Sequence, residues 1–272
     1  GIFLSFFLNW SVAGLGDTKA WRTAFGISAI PAALQVLGMF FLPYSPRWLL
    51  SKGRNTEAMQ ILLRTRKLEE AEAEYKELLE ALQMESRHTL QSLLRELFSP
   101  AMRWPLSISV LLTFFQQASG QPTVLLYSSK IIKLTGIFPT NSTTLLAALI
   151  PGSVKLVLTI VSSFWLIEHL GRRTLLLWGA AGIMFALFAL GMVMLKSTLS
   201  VGLGWLALIL ITTYLGAYAV SYGPISWLYM SEVFPQHLRA TGMSIATAVN
   251  WATQAAISFS FLSALNFFGP TV

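Results

Sequence analysis

The sequence contains no cysteine, so neither a disulfide nor a thiolate metal site is open to it. Charge is nearly as scarce: Asp, Glu, Lys and Arg make up 11% of the 272 residues, against roughly 25% in ordinary soluble domains. A chain so poor in charge and 54% hydrophobic has the composition of a membrane protein. Histidine occurs only as His88, His169 and His237, all outside the apolar runs. With no His-Glu-x-x-His and no Gly-x-Ser-x-Gly, a membrane enzyme is the least supported class, and no cofactor or metal is expected. The apolar runs also lack acids away from their ends, since Glu168 and Glu232 both sit at boundaries. Ion pumps and proton-coupled carriers usually place carboxylates inside the membrane, and this stretch of sequence supplies none.

What the chain does have is length in its apolar runs. A helix of about 20 apolar residues crosses the hydrocarbon, and such runs are predicted at 22–43, 105–129, 144–167, 174–195, 202–230 and 243–265, after a shortened one at 1–14. The fold class expected is all-α, a multispanning membrane helix bundle with the lipid bilayer as its main partner. The net charge of +7 reports topology here before it suggests nucleic acid, which is not an expected partner. If segment 44–104 is cytoplasmic, thirteen Lys and Arg fall inside and five outside, as the positive-inside tendency requires. Asn141-Ser142-Thr143 then lies outside, where Asn141 is a glycosylation candidate. A chain that opens on Gly1 in mid-helix reads as a fragment. Its oligomeric state is not legible.

Segment 44–104 differs from the rest, carrying nine of the twelve acids. Its strong helix formers, the four-residue spacing of Glu72, Lys76 and Glu80, and its apolar periodicity predict about three short amphipathic helices. They would break near Arg87-His88-Thr89 and end at Ser99-Pro100. The bland account is a soluble linker between membrane bundles.

Polar residues inside the spans are few and therefore informative. In "FFQQASGQPTVLLYSS" (114–129) amides and helix breakers interrupt an apolar run, and the freed backbone groups need partners within the protein or a watery cavity. Gln117 and Gln121, four apart, are expected on one helical face, with Gln116 beside them and Tyr127 further along. A second break is expected at Gly223-Pro224, just before Trp227, and a third polar point at Asn250-Trp251 with Gln254 one turn on. Each amide alone is as easily a hydrogen bond between neighbouring helices, and a tryptophan alone an interfacial anchor. Together, amides that donate and accept suit sugar hydroxyls, and indole faces suit the C–H side of a pyranose ring. Lys155, near the centre of its span, is either a charge facing a cavity, one that snorkels, or one held by backbone carbonyls.

Five boxes in order then resemble the facilitative sugar transporters, the sugar porters of the major facilitator superfamily. "PYSPRWLL" is similar to the box after the sixth helix, "QQASGQPTVLLYSS" to that of the seventh, and "EHLGRR" to that after the eighth. "GPISWLYMSEVFPQHLR" is similar to the tenth-helix signature and "NW" to the eleventh-helix pair. The resemblance implies that 1–43 ends an N-terminal bundle, 44–104 is a cytoplasmic helical linker, and 105–272 is a C-terminal bundle of helices seven to eleven. It also implies substrate contacts at Gln116, Gln117, Gln121, Tyr127, Trp227, Asn250 and Trp251. Departures from the family pattern are Tyr44 for Glu, Pro122 for Asn, Ala219 for an acid, and Lys155 or Leu156 at the level of an Asn.

Glu168 and Glu232, set near Arg172, Arg173 and Arg239, suit carboxylate–guanidinium pairs made in one state and broken in another. The resemblance brings Arg47 to the same cytoplasmic gate. Plain charge anchoring explains the arginines but not the two boundary glutamates. The function expected is facilitated diffusion of a hexose or related polyol by alternating access, in the plasma membrane. The alternatives are proton-coupled sugar symport, a membrane sugar sensor that does not transport, or an inert truncated product.

Overall fold

The computed structural model describes residues 2–15, 17–86, 89–134, 137, 138, 140–195 and 200–268, and every regular element among them is helical. The first two helices, α1 (Ile2–Val12) and α2 (Asp17–Phe41), precede a layer of four short ones: α3 (Pro46–Ser51), α4 (Asn55–Thr65), α5 (Leu68–Ser86) and α6 (Leu90–Leu97). Four rather than three form because Pro46 opens a helix of its own: Ser45 is extended and Pro46 takes the first helical position, where a missing N–H costs nothing.

The remaining helices are α7 (Arg103–Ala118), α8 (Gln121–Leu134), α9 (Asn141–Val161), α10 (Ile167–Leu170), α11 (Arg172–Met194), α12 (Val201–Val220), α13 (Tyr222–Val233) and α14 (Gln236–Phe268). Among the described residues, four stretches are long and apolar enough to cross a membrane: Lys19–Phe41, Asn141–Leu170, Arg172–Met194 and Val201–Val233. The run expected at 105–129 is split into α7 and α8, of 16 and 14 residues, neither of which spans alone. The run expected at 243–265 lies inside α14.

At the centre stands α12, which is apolar on every side as a surrounded helix must be. It packs against α8, α9 and α11, burying Ile211, Tyr214 and Leu215 with Ile132, Ala147 and Ala186. Small residues set the spacing. A Cβ on Gly179 would come within 2.2 Å of Ser221, and one on Gly216 within 2.9 Å of Leu158. Between membrane helices, where lipid removes the hydrophobic drive, such close backbone approach is a main source of cohesion.

A second packing unit pairs α7 with α14. Near the end of this pair, Leu97 of α6 is buried with Leu106 and Phe234, while Glu96 Oε1 meets His237 Nε2 at 2.9 Å. The short-helix layer is thereby docked on the bundle. Its other helices hold a separate small core of Leu49, Leu50 and Ala58. By contrast α2 has no buried residue in its apolar window; it touches α1, which in turn packs on α9.

Candidate functional site

Two helix breaks lie side by side at mid-depth, and amide side chains tie them together. The first follows α7. Gly120 adopts φ 85°, a backbone state that glycine enters without a Cβ clash, and this turns the chain into α8. The carbonyls released are taken up inside the protein: Ser119 Oγ donates to Gln116 O at 2.8 Å, and Tyr214 Oη donates to Ser119 O at 3.2 Å. Gly120 N donates to Gln117 O at 3.0 Å.

The second break falls at Ser221, with φ −109° and ψ −93°, two residues before the expected Gly223-Pro224. Those two lie instead in the first turn of α13, where proline is tolerated. Ser162 Oγ donates to Val220 O at 2.9 Å. Ser162 opens a π-helical turn, Ser162–Leu166, between α9 and α10, a local distortion that sequence periodicity does not announce.

Gln116 bridges the two breaks. Its Nε2 donates to Tyr222 O at 2.9 Å, and its Oε1 accepts from Asn250 Nδ2 at 2.9 Å. Gln117 Nε2 donates to Asn250 Oδ1 at 2.9 Å and reaches Gln254 Oε1 at 3.5 Å. Gln116, Gln117 and Asn250 are all buried. Both polar ends of Gln116 and of Asn250 are occupied by protein, whereas Gln117 Oε1 is buried without a partner. Ser226 Oγ on α13 shares that condition. A buried unpaired acceptor costs roughly 1–3 kcal/mol, so the Gln117 oxygen is a place where a ligand hydroxyl would be favoured. With these assignments of O and N, the cluster holds three helices together and offers one free acceptor.

The depth fits a mid-membrane site. Gln117 lies fourteen residues into α7 and Asn250 fourteen into α14, about 21 Å at 1.5 Å per residue. Lys155 lies fourteen residues into α9. Its Nζ stands 5.3 Å from the centroid of the Tyr218 ring. Neither a carboxylate nor a backbone carbonyl among the described residues holds the ammonium group.

Other expectations fare differently. Gln117 and Gln121 do not share a helical face, because α7 ends between them and Gly120 reorients the chain; Gln121 is half-buried at the start of α8. Trp227 and Trp251 are 39% and 59% exposed; Trp251 follows the buried Asn250 on α14, and one residue along a helix turns the side chain about 100°. The Tyr127 side chain lies outside the described residues. Tyr218, Tyr222 and Ser162 escaped sequence reasoning; a tyrosine or serine in an apolar run reads as ordinary packing until its distant partner is known.

Of the six gate candidates, Arg172 and Glu232 meet, Nη2 to Oε1 at 2.6 Å. Glu168, Arg173 and Arg239 make no ion pair among the described residues, and Arg47 lies on α3. In the short-helix layer Arg54 binds Glu57 through two nitrogens. That bond holds the Glu57 carboxyl below, and the Arg54 guanidinium above, their usual ranges. At the opposite end of the bundle Lys133 Nζ donates to Asn141 Oδ1 at 2.9 Å, beside a pocket of about 400 Å³ that Asn9, Trp21, Ser129 and Thr144 also line. None of these belongs to the amide cluster.

Comparison with known proteins places this arrangement. A family model described as sugar (and other) transporter matches residues 1–272. Probable polyol transporter 3 of Arabidopsis thaliana is 35% identical over 97% of this chain and 55% of its own length. The major myo-inositol transporter IolT of Bacillus subtilis is 32% identical over 96% of this chain and 55% of its own. Among solved structures, the major facilitator superfamily proton:xylose symporter XylE bound to 6-bromo-6-deoxy-D-glucose superposes with TM-score 0.77. It is 28% identical, covering 97% of this chain and 54% of the symporter. The chain thus spans about half the length of the relatives it matches.

Proposed function

The chain belongs to the sugar transporter family, within the major facilitator superfamily, and we propose that it forms the larger share of one half of a carrier for a hexose or related polyol. It is an integral membrane protein whose family carries solutes and performs no covalent chemistry. On this proposal the mode is facilitated diffusion by alternating access, and the substrate lies at the amide cluster, where half-helices meet near the bilayer midplane. Segment 1–43 closes an N-terminal bundle, 44–104 lies in the cytoplasm, and 105–272 is the C-terminal bundle. The plasma membrane is the proposed location, and Asn141 the proposed outer glycan acceptor.

The observation that carries the proposal is Gln117 Oε1, an unpaired acceptor buried at mid-depth among amides, with the acids of these spans, Glu168 and Glu232, confined to their ends. A hydroxyl donating there completes the set. Gln121, Tyr127, Trp227 and Trp251 complete the proposed substrate wall. Glu168, Arg173, Arg239 and Arg47 join Arg172 and Glu232 at the proposed gate. Binding on the order of −4 kcal/mol, a millimolar constant, is expected of a carrier that must also release.

The test is sugar uptake into proteoliposomes holding the full-length protein, with and without an imposed proton gradient. Gradient-independent equilibration of a hexose or polyol supports facilitated diffusion. One observation favours a second account, proton symport: XylE, a proton:xylose symporter, is similar over 97% of this chain. Accumulation above equilibrium that collapses with the gradient would decide for symport. No uptake of any hexose or polyol would leave a sensor or an inert product.

A further inference from the structure

A cavity of about 400 Å³ opens between α1 and α2 on one side and α8 and α9 on the other, within the roughly 300–1,000 Å³ of small-molecule sites. It shares no lining residue with the amide cluster. Ser129 and Lys133 in its wall lie eight and twelve residues beyond Gln121, about 12 and 18 Å along α8 at 1.5 Å per residue. On the proposed orientation that direction leads outward, to the end marked by Asn141 at the start of α9.

The wall gathers polar groups that the protein leaves unused. Among the described residues the Asn9 amide and the Ser129 hydroxyl make no hydrogen bond, so their donors and acceptors are open to a solute. Lys133 Nζ gives one of its three hydrogens to Asn141 Oδ1 at 2.9 Å, which positions the ammonium and leaves two. Buried Thr144 donates to Thr140 O at 3.0 Å and keeps a lone pair to offer. Trp21 adds an aromatic wall, its ring met edge-on by Phe25 at 6.3 Å and by the Arg22 guanidinium 5.2 Å from its centroid. Among the described residues no carboxylate lines the cavity, so a cation finds no partner there. A single exposed ammonium does little for an anion through screening water. Amides and hydroxyls that donate and accept beside an indole suit a neutral hydroxylated solute.

We infer that this cavity is a second solute site, in which a neutral sugar or polyol is held at the outer mouth by the Asn9 amide, the Ser129 hydroxyl and Lys133, with its C–H face toward Trp21. Asn9 and Trp21 come from α1 and α2, Ser129 and Lys133 from α8, so the site is complete only while these helices adjoin. It acts as an entry station, one helix away from the break at Gly120. The inference rests on the sugar-carrier proposal and its orientation, and adds a site to it. An N-glycan on Asn141 would use Nδ2 and leave Oδ1 to Lys133, so the Lys133 bond survives it.

The experiment places one thiol in the cavity wall, Ala20→Cys, in the full-length protein freed of other cysteines and made in a host that adds no N-glycan. An impermeant maleimide is applied from outside at rising concentrations of D-glucose or D-sorbitol. The thiol should react, and at least one of the two solutes should slow it with saturation. Asn9→Ala and Ser129→Ala should each raise the half-protecting concentration about two- to tenfold, as loss of one neutral hydrogen bond does, whereas Gln117→Ala should change it by less than about twofold. Neither Asn9 nor Ser129 is bonded through its side chain to described protein, so both variants keep the fold. A thiol that does not react shows the cavity filled by other helices of the full-length protein and overturns the inference, as does protection by neither solute. Protection that follows Gln117→Ala and ignores Asn9→Ala and Ser129→Ala reports the amide cluster alone; it removes the outer site and leaves the carrier proposal standing. Protection governed by Asn9 and Ser129 in a protein that takes up neither solute does the reverse.

Discussion

Gln116 Nε2 donates to Tyr222 O at 2.9 Å, so a side chain beside one helix break bonds the backbone beside the other. Two interruptions that would each be costly in lipid are stable because they adjoin. Gln117, one residue on, spends its nitrogen on Asn250 and keeps its oxygen free. Adjacent glutamines therefore do different work, and substitution should separate them.

Gln116→Ala removes the bonds to Tyr222 O and from Asn250 Nδ2, each worth about 0.5–1.5 kcal/mol. The melting temperature in detergent should fall clearly. Gln117→Ala removes the free acceptor, and sugar affinity should fall about two- to tenfold, the worth of one neutral hydrogen bond. Calorimetry and equilibrium binding on the same preparations read both effects. Equal effects of the two variants on both quantities would reduce the amides to helix glue.

Gly179 and Ser221 test the packing account. A Cβ at 179 would fall 2.2 Å from the Ser221 side chain, so Gly179→Ala should destabilise by about 1–3 kcal/mol through overpacking. Adding Ser221→Gly should return part of that loss, giving a double variant less damaged than the sum. Strict additivity in a thermal-melt series would mean that α11 and α12 do not approach so closely.

Much of this was legible beforehand, and the misses share a cause. Glycine, proline and glutamine mark the α7–α8 break because each has a local backbone consequence. The five boxes mark the family because they recur in order. What local sequence does not carry is which side chain meets which carbonyl across the bundle. Ser162 reaches Val220 and Gln116 reaches Tyr222, and neither pair shows in a helical wheel. The expected Gln117–Gln121 face failed because periodicity was carried through Gly120, where φ turns positive.

Arg172 and Glu232 bridge α11 and α13 at 2.6 Å while both remain partly exposed. Exposed pairs are worth about 1 kcal/mol at most, or roughly a fivefold change in a two-state ratio. Glu232→Gln should shift the balance between outward- and inward-facing forms by up to about that factor, leaving sugar affinity within one form unchanged. Arg172→Gln should shift it in the same direction, and the double variant should add little. Side-specific inhibitor binding measures the ratio; no shift in either variant would make these charges topology anchors alone.

Topology is open to direct labelling, because the absence of cysteine from this chain makes single introduced thiols informative. Glu80→Cys should react with an impermeant maleimide only from the cytoplasmic side, and Ser142→Cys only from outside. Labelling of residue 80 from outside would invert the proposed orientation and detach the Arg172–Glu232 pair from any cytoplasmic gate.

The central claim is that a sugar bound at the amide cluster crosses by alternating access, and trans-acceleration tests it most directly. Proteoliposomes holding the full-length protein are loaded with unlabelled hexose or polyol, and the initial uptake of the same labelled solute is compared with that of empty vesicles. A carrier that returns faster loaded than empty should take up label faster into the loaded vesicles, and Gln117→Ala should require a higher internal concentration for half the effect. Uptake that is indifferent to internal sugar in the native protein, or binding without any uptake, would contradict the account.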